Sequence, residues 1–152
     1  MTTPRRQRTY AFLLGLGACV LLFRTLAMLW GGALGVLMPW VSALLLLELL
    51  VDVAVLVWSV RWWLKASADF DSIPLRLGAV AAILHAFRVL IFALGRVEPF
   101  LNFDVRPEHW AEHGERWSWA QVYFASTLSV LGVLGVLVIW WLRRRSTKQA
   151  GT

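Results

Sequence analysis

"VLMPWVSALLLLELLVDVAVLVWSV", residues 36–60, decides the fold. A bilayer crossing takes about 20 mostly apolar residues, and this run meets that length with only two charges, Glu48 and Asp52. The two carboxylates stand four residues apart. On a helix that spacing puts both on one face.

Three further apolar runs follow the same pattern: 10–30, 77–94 and 119–142. The chain has 152 residues, 59% hydrophobic and 16% charged, with a mean hydropathy of +0.66, outside the range of ordinary soluble domains. Four spans and their connections use nearly all of it. The expected fold is an all-α integral membrane bundle of four transmembrane helices forming a single domain. Its one long connection is an outer loop at 95–118. Nine of the ten tryptophans (30, 40, 58, 62, 63, 117, 119, 140 and 141) fall at the expected span ends, where amphipathic rings suit the headgroup layer.

Basic residues set the expected orientation. Arg5, Arg6, Arg8, Arg61, Lys65, Arg76, Arg143, Arg144, Arg145 and Lys148 would lie on one side, ten in all, against Arg96, Arg106 and Arg116 on the other. The positive-inside rule then places both termini in the cytoplasm, with the plasma (inner) membrane as the expected location. The net charge of +6 is thereby a matter of topology and of contact with anionic lipid. No basic soluble module is present to bind nucleic acid. A single cysteine, Cys19, excludes an intramolecular disulfide and every two-cysteine motif. The start "TPRRQRTYAFLLGLGAC" loosely resembles a lipoprotein signal, but "VLLF" continues the apolar run, so an uncleaved first helix is expected.

At about 1.5 Å rise per residue, Glu48 and His85 fall near the midplane, Asp52 somewhat inward, and Arg24 and Arg88 somewhat outward. These five form the candidate polar cluster. His85 and Arg88, three apart in "LHAFR", share a face. Insertion scales charge roughly 2.5–3.5 kcal/mol for one central charge, so the acids require the arginines as partners. Two roles fit the cluster. It can serve a proton, ion or small-solute pathway, with a carboxylate as the protonatable group and His85 as relay. Alternatively it is interhelical glue in a non-catalytic assembly subunit of a larger membrane complex. A third reading is a redox protein with haem or quinone near His85, although the sequence requires no cofactor and one histidine gives haem only one axial ligand.

Small residues Ala125, Ser129, Gly132 and Gly135 recur along the fourth run, and Gly15 and Gly17 sit in the first; both read as close-packing sites, the former also as a homo-oligomer contact. Outside the spans, "RPEHWAEHGERW", residues 106–117, carries the remaining histidines. "HWAEH" matches the letters of a zinc-protease pattern, yet the loop is too short for the cleft and third ligand that chemistry needs. Capture of a metal ion by His109 and His113 with Glu108 or Glu112 is compatible with helical spacing. The competing expectation is an amphipathic stretch lying on the outer surface through Phe100, Leu101, Phe103, Val105 and Trp110. No phosphate loop, nucleophile elbow or kinase signature occurs, and an enzymatic activity is not expected.

Overall fold

The computed structural model describes residues 3–67, 71–111, 131, 134–142 and 145. The described residues are helical with no strand; three helices are long and apolar enough to cross a membrane. They are α1 (Pro4–Trp30), α3 (Pro39–Lys65) and α4 (Ser72–Leu94), with a one-turn helix α2 (Ala33–Val36) between the first two. Residues 134–142 are also helical, within the expected fourth run.

Helix ends follow from local chemistry. Proline opens both α1 and α3, where the missing N–H is one that a helix leaves unbonded anyway. Gly32, at φ 83°, supplies the left-handed turn between α1 and α2. α3 runs five residues past the expected end of its span and α4 starts five before its own, so the connection between them covers 66–71 and not 61–76.

α3 is the central element, packed along its length against α1 and α4. Its buried positions are Val41, Leu45, Glu48, Asp52, Val55, Ser59 and Trp62, alternating at spacings of four and three. α1 repeats the pattern with Gln7, Ala11, Leu14, Ala18, Leu21 and Thr25. Alternating spacings of four and three are those of a seam between packed helices. Gly15 sits on that contact: a Cβ placed there would lie 3.5 Å from Ser59 Cβ. Gly17 does not, since nothing lies within 4 Å of a Cβ at that position. The expectation of a close-packing site therefore holds for the first glycine and fails for the second.

Two apolar clusters divide the bundle. One, toward the start of α1 and the end of α3, joins Ala11, Leu14, Val55, Trp62, Leu75 and Ile139. The other joins Leu37, Val41, Leu45, Ile91, Phe92 and Val105. Trp62 belongs to the first, 1% exposed, with its indole N–H donated to Gln7 Oε1 at 3.0 Å. It is a core residue and not part of an interfacial girdle.

The loop after α4 also departs from expectation. It is folded back onto the α2–α3 corner through a β-bridge between Leu37 and Val105. Met38 N–H donates to Asp104 O and Arg106 N–H to Val36 O, both at 3.0 Å. The Arg106 guanidinium adds bonds from Nε to Leu37 O (3.0 Å) and from Nη2 to Leu34 O (3.3 Å). Val105 is buried and Phe103 stacks on Trp40 with ring centroids 5.6 Å apart, whereas Phe100, Leu101 and Trp110 stay exposed. Backbone pairing explains the difference. An extended segment beside an unpaired helix corner satisfies polar groups that a stretch lying flat would leave to solvent.

Candidate functional site

The central stretch of the α3 seam lies between the two apolar clusters, and there the buried side chains are charged. Glu48 and Asp52 occupy successive seam positions on α3, and His85 and Arg88 occupy facing positions on α4. All four are 0% exposed. Arg88 Nε donates to both oxygens of Glu48, at 2.9 and 2.7 Å. Its Nη2 contacts His85 Nδ1 at 2.9 Å, and its Nη1 contacts Met28 Sδ of α1 at 3.2 Å. His85 Nε2 lies 2.9 and 3.2 Å from the two oxygens of Asp52.

The bonding order within this network follows from donor chemistry. A guanidinium only donates, so His85 Nδ1 must accept, which places the imidazole proton on Nε2. Nε2–H then donates to Asp52. The histidine is a neutral bridge between an arginine and a carboxylate, and both of its nitrogens are engaged by protein. Neither offers a lone pair to a haem iron in this arrangement.

Glu48 has a second neighbour in His85, whose Nδ1 is 3.5 Å from Oε2. Arg24, on α1, is partly buried and lies within electrostatic reach of both Glu48 and Arg88. Taking Glu48 and Asp52 as anions and Arg88 as a cation, the fully buried groups sum to minus one, and Arg24 brings the layer to neutrality. The Arg88 guanidinium also stands 5.7 Å from the Phe92 ring centroid, an aromatic face that favours a cation.

All five residues singled out from the sequence thus lie in one region, with Asp52 paired to His85 and Glu48 to Arg88. Met28 and Thr25 were missed. Met28 is four residues beyond Arg24, so helical spacing alone could have placed it beside the cluster. Thr25, 0% exposed, continues the α1 seam into the same region.

The candidate metal set is not assembled among the described residues. Glu108 and His109 belong to a single 3₁₀ turn, Pro107–His109, while Glu112 and His113 lie outside the described residues. No group of three or more potential metal ligands occurs among the described residues. Of the small residues expected on the fourth run, Ala125, Ser129 and Gly132 also lie outside them.

Two cavities formed by described residues have no member of the charged network in their walls. One, about 440 Å³, lies between α1, α4 and residues 131–142; the other, about 410 Å³, lies between α1 and α3. The larger is walled almost wholly by apolar side chains and glycines.

Fold and site together define an all-helical protein of membrane-spanning type with a sealed charged network at the middle of its helix seam. Comparison with protein-family models, with curated proteins and with solved structures returns no match for the chain.

Proposed function

We propose that this chain is an integral protein of the plasma membrane that crosses it four times, with both termini cytoplasmic, and acts as a structural subunit in a larger membrane assembly. The observation that carries this reading is the complete burial of Glu48, Asp52, His85 and Arg88, each engaged with another member of the set. In lipid, apolar side chains cannot choose which helices meet, because the surroundings are equally apolar; buried polar contacts can. The network fixes the register of α3 against α4, and Met28 and Arg24 tie in α1. A water-lined solute route needs polar walls, and the two cavities described above are apolar. The fourth crossing is supported by residues 134–142, helical and placing Ile139 in the core with Leu14, Val55 and Leu75.

A second reading rests on one residue. Glue does not require an imidazole, and a histidine beside a carboxylate inside a membrane-spanning helix pair, His85 Nε2 at 2.9 Å from Asp52, is a residue type that marks proton routes. The two readings separate in vesicles loaded with a pH-sensitive dye. The structural role predicts proton flux no greater than in empty vesicles, together with loss of thermal stability in Glu48→Gln. Flux that His85→Gln abolishes while the melting temperature holds would establish proton handling instead.

A further inference from the structure

The larger cavity is a groove made by missing side chains. Gly17 on α1 and Gly135 in the helical stretch 134–142 both face it, and nothing lies within 4 Å of a Cβ built at either. Gly78 on α4 forms its floor, close enough to α1 that a Cβ there would lie 2.9 Å from Leu14 Cδ1. The walls are apolar and the outer rim is exposed, Leu13 at 48% and Leu16 at 52%.

Two arginines flank groove-lining positions at one end of this groove, whereas Arg24, beyond Leu21 at the other, is drawn into the charged network. Arg6, Tyr10 and Gly17 share one face of α1 at helical spacing, so Arg6 stands one turn below the point where Tyr10 lines the groove. At the end of the stretch 134–142 Leu142 lines the groove and Arg145, three residues on, follows on the same face. Both arginines are exposed, and Arg145 is seated over Trp141 at 3.8 Å from the ring centroid. An apolar slot between helices, with arginines one turn beyond its lining residues Tyr10 and Leu142, is complementary to one kind of membrane component.

We propose that this groove is a binding site for an acidic phospholipid, one acyl chain lying along Gly17 and Gly135 and the phosphate held at Arg6 and Arg145. Apolar burial accounts for the chain, and basic residues at the cytoplasmic end of a cleft between helices account for the anionic headgroup. A second copy of the same chain is a poorer occupant. Paired through this face about a two-fold axis along the membrane normal, the copies would bring four arginines to one end, where like charges repel. The proposal is independent of whether the charged network is structural or proton-handling.

The test is native mass spectrometry of the full chain released from nanodiscs of mixed phosphatidylglycerol and phosphatidylcholine. One phosphatidylglycerol should remain bound, preferred over phosphatidylcholine by roughly fivefold for each arginine. Arg6→Gln with Arg145→Gln, both at exposed positions, should bring the two lipids to equal occupancy. Gly17→Leu and Gly135→Leu, at positions where an added Cβ meets nothing within 4 Å, should remove bound lipid of both kinds while the helical circular dichroism is unchanged. The proposal fails if the wild type retains both lipids equally, or if the leucine variants keep the phosphatidylglycerol. It also fails if the wild type carries no lipid and the leucine variants convert a dimer to a monomer, which would make the occupant a second copy. Should the leucine variants misfold, the arginine pair decides alone, since an unchanged lipid preference there refutes the headgroup site.

Discussion

Arg88 Nη2 lies 2.9 Å from His85 Nδ1, and because arginine has nothing to accept with, that contact fixes which nitrogen of His85 carries the proton. Glutamine can imitate the neutral bridge: its amide N–H can serve Asp52 and its carbonyl can accept from Arg88. Leucine can do neither. His85→Gln should therefore stay within about 1 kcal/mol of the wild type, whereas His85→Leu should cost about 3 kcal/mol or more by stranding two buried groups. Thermal melting in detergent checks the pair, and equal losses would mean that His85 contributes shape and not bonding.

The Gln7–Trp62 bond gives a second stability test, where the start of α1 meets the end of α3. Trp62 is 1% exposed and Gln7 2%, so neither has water as a substitute partner. Gln7→Leu should destabilise by roughly 1–3 kcal/mol, because the indole N–H loses its acceptor inside the bundle. Tryptophan fluorescence is a poor monitor with ten tryptophans in the chain; a shift in melting temperature is the measurement.

That pair also marks how far the sequence could be read. Helix existence was legible because length and apolarity are one-dimensional signals, and the four charges with His85 were legible because their cost in lipid demands partners. Trp62 was not. A tryptophan near a span end satisfies the girdle pattern equally well whether it faces headgroups or the seam, and the seam is invisible where every face is apolar. Only the alternation of Glu48 and Asp52 with Leu45 and Val55 at spacings of four and three reveals which face turns inward. The Leu37–Val105 bridge was illegible for a different reason: it joins backbone groups far apart in the chain, and no side-chain pattern announces it.

The folded-back loop should be removable as a unit. Arg106 holds Leu37 O and Leu34 O through its side chain, beside backbone bonds that alone are few. Arg106→Ala should speed hydrogen exchange at the amides of Met38 and Arg106 by tenfold or more, while amides in the middle of α3 keep their protection. Exchange measured by mass spectrometry on overlapping peptides reads both regions at once. Unchanged exchange at the corner would show that the bridge holds without the guanidinium.

Topology is testable without any knowledge of activity. If the basic excess fixes orientation, reporters fused after residue 70 and at the carboxyl terminus should both read as cytoplasmic, and one near residue 112 as external. A terminus on the side opposite residue 70 would break the four-span arrangement, whatever the charged network does.

The sharpest test concerns Glu48 and Arg88, joined by Nε–H shared between both carboxylate oxygens at 2.9 and 2.7 Å, with both residues 0% exposed. Removing one partner from a buried pair costs about 3–5 kcal/mol in soluble proteins, chiefly because it leaves the other charge uncompensated. Glu48→Gln and Arg88→Gln should each fall in or near that range. The double variant should cost less than their sum, because neither charge is then stranded, and the shortfall measures the coupling. Exchange of the two, Glu48→Arg with Arg88→Glu, should recover only part of the loss. Charge is conserved, but His85 Nδ1 then faces a carboxylate in place of a donor. The imidazole can meet it by moving its proton to Nδ1 and releasing Asp52, which must find a new donor in the arginine at 48, one turn away on α3, or by taking up a second proton and donating to both carboxylates at the cost of one more buried charge. Additive losses in the double variant would mean that Glu48 and Arg88 are held separately by other groups. Full recovery on exchange would mean that net charge, and not the His85 bridge, sets the stability of the network.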